Sequence, residues 1–274
     1  MKVAYLGLPG SYTFLAAKNY FRTLNSKFVS FKSFADIFKD VSRGSIDMGI
    51  VPLENSLTGS IYQIYDLLLT SDLKIIGEVM LKIDHCLLLK NELSLKNIKI
   101  CYSHIEAIKQ CQKFFDKYRN ISPVYVEDSA SAAKKVAKSK NKYISAIANK
   151  YTAELYNLKV VFENIQDNRN NYTRFIIIGN GGKSNGDKVS LIFSVEHQPG
   201  SLLRALMPYA RMGLNLTKIE SRPLFGKPWE YIFFVDFMLN KKENSLTLLL
   251  SQMKEHVKFV KVLGKYPQGK IYES

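Results

Sequence analysis

The chain has 274 residues, 46% of them hydrophobic, which is enough to form a sizeable core and favours two domains. Its 39 basic and 24 acidic residues give a formal net charge of +15. The basic residues are spread along the chain and are not interleaved with aromatic residues, so we expect no nucleic-acid binding. No apolar run approaches the length of a transmembrane helix, so we expect no membrane span.

The cysteines and histidines show no metal-ligand or redox spacing, because the three cysteines and four histidines are scattered along the chain. Cys86 and Cys101 lie among apolar residues, where a buried reduced thiol is the default. Met1 is followed closely by a strand-like segment, without the pattern of a secretory signal. We therefore expect a cytoplasmic protein without a bound metal ion.

The N-terminal segment combines a strand at residues 2–6 with a glycine turn at residues 7–13 and a helix that opens at Phe14. A glycine turn before a helix can place backbone N–H groups around an anion. The turn lacks the Gly-x-Gly-x-x-Gly spacing of a dinucleotide site. Ser11 is the candidate side chain in this turn, and the alternative is that it only caps the helix.

A second strand is predicted at residues 48–51, and an amphipathic helix at residues 61–69. Between them lie Glu54, Asn55 and Ser56, which follow the carboxyl end of the strand. Open α/β sheets bind ligands at this edge, so these polar residues indicate a binding site. A capping turn before the helix is the alternative.

The middle of the chain continues the alternation of strands and helices, which indicates α/β layers. A strand at residues 83–89 crosses into another subdomain, and we interpret His85 within it as a packed histidine. Ser103 follows a strand at residues 98–102 and could cap the helix predicted at residues 105–115, bind a carboxylate, or both. Ser129 lies at the start of a later helix.

The stretch at residues 164–175 is dense in polar side chains and lies between apolar runs at residues 158–162 and 175–178. Polar groups packed between two buried elements must face water, each other or a ligand. Asn and Asp also favour turns, so an ordinary polar loop is the alternative.

Four glycines among polar residues at residues 179–186 predict a flexible linker. A long loop within one domain is the alternative, but the pattern of elements changes beyond it. The strands and helices that follow are predicted in the order βαββαβ, which is ferredoxin-like.

Several of these segments, in the expected order, resemble the prephenate dehydratase family. Residues 171–175, Asn-Tyr-Thr-Arg-Phe, match its Asn-x-Thr-Arg-Phe signature, and residues 52–59 reproduce its Pro-x-Glu-Asn-Ser-x-x-Gly motif at every defined position. Ser103, His104 and Ala107 match part of the family's Ser-His-Pro-Gln-Ala segment. In the C-terminal part, residues 199–202 and 215–223 resemble the ACT domain that is attached to these enzymes.

The resemblance implies an α/β protein in two parts. Residues 1–180 would form a catalytic domain like the type II periplasmic binding proteins, with two lobes and a cleft between them. Residues 181–187 would be a linker, and residues 188–274 a ferredoxin-like ACT domain. ACT domains commonly pair edge to edge, so by analogy we expect a homodimer or homotetramer.

The implied reaction is the loss of water and carbon dioxide from prephenate to give phenylpyruvate, in phenylalanine biosynthesis. Aromatisation drives this reaction, so no cofactor is expected. The resemblance makes Thr173 the catalytic residue, as hydrogen-bond donor to the departing hydroxyl. It assigns substrate binding to Ser11, Asn55, Ser56, Ser103, Ser129 and Arg174. Arg174 could clamp a carboxylate with two hydrogen bonds or hold the loop in place.

The ACT resemblance implies that L-phenylalanine binds this domain and inhibits the enzyme. The residues that it assigns to the effector are Gly200, Ser201, Leu202, Asn215, Leu216, Glu220, Ser221 and Arg222. Two other functions stay open. An arogenate dehydratase would share every motif, whereas a non-catalytic sensor on the same fold would keep the anion-binding turn without needing Thr173.

Overall fold

The computed structural model of the chain describes residues 1–91, 94–181, 186–224, 229–240 and 245–274. The strands are β1 (Lys2–Leu6), β2 (Lys27–Phe31), β3 (Met48–Asn55), β4 (Gly59–Ser60), β5 (Lys74–Lys82), β6 (Cys86–Leu89), β7 (Ile100–Ser103), β8 (Ser122–Tyr125), β9 (Ile144–Ala148), β10 (Lys159–Phe162), β11 (Tyr172–Gly179), β12 (Lys188–Ser194), β13 (Leu216–Pro223), β14 (Tyr231–Met238), β15 (Phe259–Tyr266) and β16 (Ile271–Tyr272). The helices are α1 (Tyr12–Tyr20), α2 (Phe34–Ser42), α3 (Tyr62–Thr70), α4 (Ile105–Lys109), α5 (Gln112–Lys117), α6 (Ser129–Lys138), α7 (Lys150–Leu155), α8 (Ser201–Arg211) and α9 (Ser245–Met253). Within the described ranges, no helix is long and apolar enough to cross a membrane. Residues 182–185 of the predicted linker lie outside these ranges.

The first sheet has the strand order β16-β5-β11-β3-β1-β2, and β4 pairs with β3. β11 lies between β3 and β5 and is antiparallel to both. Its residues Phe175 to Ile178 are buried. The apolar run has no polar alternation because α1 covers one face of the sheet, and α2 and α3 cover the other.

The second sheet, of order β10-β6-β9-β7-β8, forms a second lobe. The chain leaves the first sheet after β5 and returns to it with β11. Ile83 N donates to Asn171 O over 2.8 Å, and Ile165 N donates to His85 O over 3.0 Å, so the two crossing segments run side by side. We call these segments, residues 83–85 and 163–171, the lobe junction.

The strands β3, β6 and β7 differ in extent from the sequence-based prediction, and β7 includes Ser103, which was predicted to follow it. β3 continues to Asn55, so Glu54 and Asn55 end the strand and do not follow it. The register of the β3–β11 pair shifts opposite Pro52, as expected for a residue without a backbone N–H in a central strand. The crossing strand begins at Cys86 and not at residue 83, because residues 83–85 belong to the junction.

The single helix predicted at residues 105–115 is divided into α4 and α5. The Asp167 carboxylate accepts hydrogen bonds of 3.0 Å from the backbone N–H groups of Gln112 and Lys113. A carboxylate that binds these N–H groups favours a new helix start at this point. The break leaves Gln110 at the end of α4, beside the junction.

β12 to β15, with α8 and α9, form a C-terminal unit of connectivity βαββαβ and strand order β13-β14-β12-β15. Its helices cover one face of the sheet, and the other face shares a core with α2, α3 and the first sheet. β15 lies so close to β5 that a Cβ at Gly264 would be 2.0 Å from Ile75 O, which requires glycine there. β16 then pairs with β5 of the first sheet. The last residues of the range 188–274, which was expected to form the C-terminal domain, therefore belong to the first lobe.

Candidate active site

Thr173 on β11 lies directly opposite Asn55 on β3. The Asn55 Nδ2 donates to Thr173 Oγ1 over 3.0 Å. Asn55 is 9% exposed and Thr173 is half-buried. Because Thr173 Oγ1 accepts this bond, its own hydroxyl hydrogen is available to a ligand.

The turn after β3 sets the orientation of the Asn55 amide. Asn55 Oδ1 accepts hydrogen bonds from Leu57 N at 2.9 Å and Thr58 N at 3.0 Å. These two backbone donors identify the carbonyl side of the amide. The Nδ2 side therefore faces Thr173. The turn that holds it is not a cap of the following helix, since α3 begins after Ile61 without a side-chain cap.

The Asn55 amide also belongs to a chain of side-chain hydrogen bonds that reaches the second lobe. Asn55 Nδ2 donates to Asn171 Oδ1, and Asn171 Nδ2 donates to Gln110 Oε1, both over 2.7 Å. Gln110 Oε1 lies 2.9 Å from His85 Nε2, and His85 Nδ1 lies 2.8 Å from Tyr12 Oη. We call these five side chains the junction network, because they connect α1, β3, the junction and α4.

Gln110 and Tyr12 were not among the residues that sequence analysis selected for the site. His85 was expected to be packed, and at 2% exposure this prediction is confirmed. The network joins residues that are 25 to 116 positions apart, for which local spacing contains no signal. Asn171 could have been selected, since it opens the Asn-x-Thr-Arg-Phe signature.

Three of the predicted substrate-binding hydroxyls, those of Ser11, Ser103 and Ser56, donate to backbone carbonyls. Ser11 caps α1: its Oγ accepts from Phe14 N and donates to Leu6 O, both at 3.2 Å. Ser103 is fully buried, and its hydroxyl donates to Ile147 O over 2.7 Å. The capping alternative therefore holds at Ser11, and ligand contacts of all three serines stay predictions.

Ser56 and Ser129 occupy different places. Ser56 Oγ accepts from Tyr172 N at 2.9 Å and donates to Asn170 O at 3.0 Å, which ties the turn after β3 to the start of β11. Ser129 is the first residue of α6, whose start is capped by Asp128. Because the Asp128 carboxylate already accepts from Ser131 N at this helix start, a ligand contact of Ser129 stays a prediction.

Arg174 points away from Thr173, because neighbouring residues of a strand lie on opposite faces. Its Nε donates to Glu78 Oε2 at 2.7 Å, its Nη1 to Asp236 Oδ2 at 2.5 Å, and its Nη2 to Tyr266 Oη at 2.9 Å. Arg174 is 7% exposed. Burial opposes its charge, but Asp236 more than offsets this, so the pKa of Arg174 lies well above its ordinary value.

Arg174, Glu78, Lys188 and Asp236 form a buried ionic cluster between the first lobe and the C-terminal unit. Lys188 Nζ contacts both oxygens of Glu78, at 2.8 and 2.9 Å. The Ser190 hydroxyl donates to the second oxygen of Asp236. Two positive and two negative groups balance in this cluster, and removal of one would leave an uncompensated buried charge. The geometry therefore supports the holding role of Arg174.

β13 faces the end of the β3 strand that carries Asn55. Lys218 Nζ contacts Glu54 and lies 3.0 Å from Glu220 Oε2, and the Ser60 hydroxyl donates to Glu220. Burial favours the neutral form of Glu54, but Lys218 outweighs it, so the pKa of Glu54 lies below its ordinary value. These charges couple the C-terminal unit to the residue beside Asn55.

The C-terminal unit also contacts both ends of α3. Arg222 Nη1 donates to Tyr62 O at 2.9 Å and to Asp66 Oδ1 at 2.6 Å. Lys261 Nζ donates to the carbonyls at the end of the helix, including Leu69 O at 2.8 Å. A lysine at a helix C-terminus complements the helix dipole. α3 directly follows the turn that orients Asn55, so the unit holds this part of the lobe in place.

The predicted effector residues of β13 divide between its two faces. Glu220 and Arg222 face the first lobe, whereas Ser221 pairs with Phe233 on the side of α8 and α9. Asn215 and Leu216 lie at the start of this strand. The structure therefore does not place these residues around one site within a single chain.

A small cavity lies at the start of α8, where the predicted segment Gly200, Ser201 and Leu202 is found. Gly200 has a φ of +80°, a conformation that favours glycine. The cavity has a volume of about 160 Å³, and its lining includes Ser201, Leu202, Tyr231 and Phe233. Because Phe233 pairs with Ser221, the cavity opens beside β13.

Known proteins share this architecture over nearly the whole chain. The prephenate dehydratase family matches residues 3–183. A bifunctional chorismate mutase/prephenate dehydratase from Escherichia coli (strain K12) is 36% identical over 98% of this chain and 72% of the relative. Arogenate dehydratase 2 from Petunia hybrida is 37% identical over 97% of this chain and 72% of the relative. The structure of prephenate dehydratase in complex with L-Phe from Arthrobacter aurescens covers 97% of this chain and 90% of its own, with 26% identity and a TM-score of 0.87.

The fold and the site together define a class of protein. It is a two-lobed α/β enzyme with a threonine–asparagine pair beside the lobe junction. The chain belongs to the prephenate dehydratase family. Its activity is accordingly that of a prephenate dehydratase, a lyase of phenylalanine biosynthesis.

Proposed function

We propose that Thr173 assists departure of the ring hydroxyl while prephenate is converted to phenylpyruvate. The bond between the ring and its carboxylate breaks and releases carbon dioxide, its electrons complete the aromatic ring, and the hydroxyl departs as hydroxide, which solvent protonates to water. Aromatisation supplies the driving force, so the protein must hold a dianion and stabilise charge on the departing oxygen. A positioned acid or donor contributes roughly 10²–10⁴-fold to such a step.

The hydrogen bond from Asn55 to Thr173 is the observation that carries this proposal. Since Thr173 Oγ1 already accepts a bond, its hydrogen is directed to another acceptor before substrate arrives. A preorganised donor requires no reorientation during the reaction, which makes it effective. Threonine is a poor acid, so we assign hydrogen-bond donation and not full proton transfer.

Further neutral donors from the second lobe would contact the substrate. Gln110 Oε1 accepts from Asn171 and lies against His85, so the two hydrogens on Gln110 Nε2 are available to a ligand. The Ser129 hydroxyl lies at the start of α6. Approach of the two lobes about the junction would bring these donors toward Thr173 and exclude water.

Arg174 acts, in this proposal, as a structural residue and not as a carboxylate clamp. Its guanidinium is occupied by Glu78, Asp236 and Tyr266. Release of these partners to bind substrate would leave buried charges uncompensated. Arg174 instead anchors β11, and with it Thr173, to the C-terminal unit.

The C-terminal unit, residues 188–266, is proposed to be an ACT domain that binds L-phenylalanine and inhibits the enzyme. Its βαββαβ connectivity and the cavity at Ser201 and Leu202 support this. The Arthrobacter aurescens relative was solved in complex with L-Phe. Because Glu220 and Arg222 contact the first lobe, we assign them to transmission of the signal, and Ser201, Leu202 and Ser221 to the effector site.

Inhibition would reach Thr173 through two contacts of the C-terminal sheet with the first lobe. One joins Asp236 to Arg174, the neighbour of Thr173, and the other joins Lys218 to Glu54, the neighbour of Asn55. Both residues of the Thr173–Asn55 pair therefore have a backbone neighbour held by the C-terminal unit. A shift of this sheet would change the geometry of the pair.

Arogenate is the alternative substrate, because relatives that are 37% identical include an arogenate dehydratase. The decisive assay follows phenylpyruvate from prephenate and phenylalanine from arogenate, each with and without added phenylalanine. Prephenate turnover suppressed by phenylalanine is the expected result. Preference for arogenate would keep the assigned site and change the assigned substrate, and turnover of neither compound would favour a sensor.

We further propose that the protein is a cytoplasmic homodimer or homotetramer. The mass in solution would test the number of subunits.

A further inference from the structure

We infer that His85 is a positioning residue, which holds the Gln110 amide so that its NH₂ group faces the substrate. The inference rests on the proposed function for its kinetic test, because turnover of prephenate is the readout. His85 is not assigned to chemistry, since the residue is 2% exposed and its two ring nitrogens contact Tyr12 and Gln110.

The position of His85 connects both lobes. Its backbone N–H donates to Gln166 Oε1 over 2.9 Å, and its carbonyl accepts from Ile165 N, so the backbone is held between the two crossing segments. One ring nitrogen contacts Tyr12 of α1, in the first lobe. The other contacts Gln110 at the end of α4, in the second lobe.

The direction of the hydrogen bonds follows from the Asn55 turn. Backbone donors fix Asn55 Oδ1, so Asn55 Nδ2 donates to Asn171 Oδ1, and Asn171 Nδ2 in turn donates to Gln110 Oε1. Gln110 Oε1 is an acceptor, so His85 Nε2 must carry a hydrogen. In a neutral ring His85 Nδ1 then carries no hydrogen, and the single Tyr12 hydroxyl hydrogen is shared between Asp84 O, at 2.7 Å, and His85 Nδ1, at 2.8 Å.

A neutral ring is consistent with the surroundings of His85. Burial lowers its pKa to about 4, and the hydrogen bond to Gln110 and the nearby Asp84 oppose this only in part. The Nε2–H tautomer is therefore the form that meets Gln110 near neutral pH. Two donors, His85 and Asn171, then converge on Gln110 Oε1, and a reversed amide would place its NH₂ against both of them.

The consequence is that the Gln110 NH₂ and the Thr173 hydroxyl are both oriented by one network. Two donors on its carbonyl oxygen fix which end of the Gln110 amide is free. If His85 Nε2–H is lost, one of the two restraints disappears and the amide can turn. His85 therefore acts on the substrate through Gln110, which distinguishes it from a histidine that only fills space.

Two replacements separate these roles, because glutamine and asparagine mimic different ring nitrogens. His85→Gln places an amide N–H near the position of Nε2, whereas His85→Asn places its amide near the position of Nδ1. We expect His85→Asn to lower kcat/KM for prephenate by about tenfold, the scale of one hydrogen bond. His85→Gln should recover most of this loss, and His256→Asn, outside the network, should have no effect.

The effect of His85→Asn on kcat/KM is also measured in a Gln110→Ala background. If His85 acts through Gln110, His85→Asn should cause no further loss of kcat/KM there. An equal loss in both backgrounds, or equal loss with Gln and Asn at position 85 in folded protein, would overturn the inference. Should His85→Asn fail to fold, Tyr12→Phe removes the donor to Nδ1, and its smaller loss should likewise vanish in the Gln110→Ala background.

A measurement without substrate distinguishes this inference from the proposed function. The ¹⁵N shifts of the His85 ring in the intact protein report its tautomer, and we expect Nε2–H. An Nδ1–H ring would contradict the inference even if prephenate is turned over. An Nε2–H ring in a protein that turns over no prephenate would leave the orientation of Gln110 supported and would reject the assigned reaction.

Discussion

Asn55 and Thr173 face each other across the antiparallel strands β3 and β11, and the Asn55 amide donates to Thr173 Oγ1 over 3.0 Å. The adjacent residues Glu54 and Arg174 also face each other, on the opposite side of the sheet. One pair of strands therefore presents an amide–hydroxyl pair on one face and a charged pair on the other. The two signature motifs thus form one structural unit, although more than 110 positions separate them.

We predict that Asn55→Asp abolishes most turnover without unfolding the protein. The introduced carboxylate can still accept from Leu57 N and Thr58 N, but it cannot donate to Thr173 or Asn171. The Thr173 hydroxyl would then donate to this carboxylate, and its hydrogen would be lost to the substrate. We expect kcat to fall by roughly 10²-fold or more. Thr173→Ala in the Asn55→Asp background should add little, and additive losses would contradict this account.

We predict that Asp236→Asn destabilises the protein strongly, because it removes one of the carboxylates that Arg174 contacts and leaves the buried cluster of Arg174, Glu78 and Lys188 with an excess positive charge. Loss of one member of a buried ion pair costs about 3–5 kcal/mol of unfolding free energy. Chemical denaturation measures this change. Glu163→Gln is the control, since Glu163 and Lys150 form an exposed pair for which no measurable change is expected.

The same cluster offers a rescue. Arg174→Met in the Asp236→Asn background removes the uncompensated charge, while Glu78 keeps its partner Lys188. We therefore expect the double variant to recover part of the lost stability. If the double variant is less stable than Asp236→Asn by the full cost of a second buried charge, the cluster does not work as described.

We predict that stability falls in acid partly because of His85. Burial is the main cause that lowers the pKa of His85 from its ordinary value of 6.5 to about 4 in the folded protein. The unfolded chain binds a proton first, so this contribution is intact above pH 6.5 and is lost as the pH falls toward 4. The full interval corresponds to about 3 kcal/mol of unfolding free energy.

Denaturation of wild type and His85→Gln between pH 7 and 4 isolates this effect. The stability difference between the two proteins should change in favour of His85→Gln as the pH falls. A constant difference across this range would show that His85 does not titrate as its burial implies.

We predict that Lys218→Met weakens inhibition by phenylalanine while leaving its affinity for the protein nearly unchanged. Lys218 joins Glu54 to Glu220 but does not line the cavity at Ser201. Loss of a coupling contact is worth roughly 1–3 kcal/mol, or about 5–150-fold in the factor by which bound phenylalanine changes the affinity for prephenate. Calorimetry gives the affinity and steady-state kinetics the inhibition. The exposed Lys265→Met is the control, and unchanged inhibition in Lys218→Met would reject this route.

Much of the fold follows from local sequence. β1 lies at the predicted residues 2–6, and α3 lies within one residue of the amphipathic helix predicted at residues 61–69. Local signals could not predict β16, or the break between α4 and α5, which depends on a carboxylate 54 and 55 positions away. These features depend on where distant segments meet.

The candidate site was predictable in part. Thr173 and Asn55 stand in short motifs, and strand alternation from Thr173 already implies that Arg174 faces the other side. The junction network was not predictable, since Gln110 and Tyr12 reach it only because α4 ends and α1 begins beside the junction. Glu220 and Arg222 were assigned to the effector by resemblance, whereas their contacts are with Ser60 and Asp66 of the first lobe.

The central claim is that the Thr173 hydroxyl promotes departure of the ring hydroxyl. It is tested most directly by prephenate turnover in Thr173→Ala and Thr173→Ser, with phenylpyruvate binding measured in parallel. We expect Thr173→Ala to bind phenylpyruvate as wild type does and to lose roughly 10²–10⁴-fold in kcat, with Thr173→Ser retaining most activity. Near-normal turnover in Thr173→Ala would contradict the account.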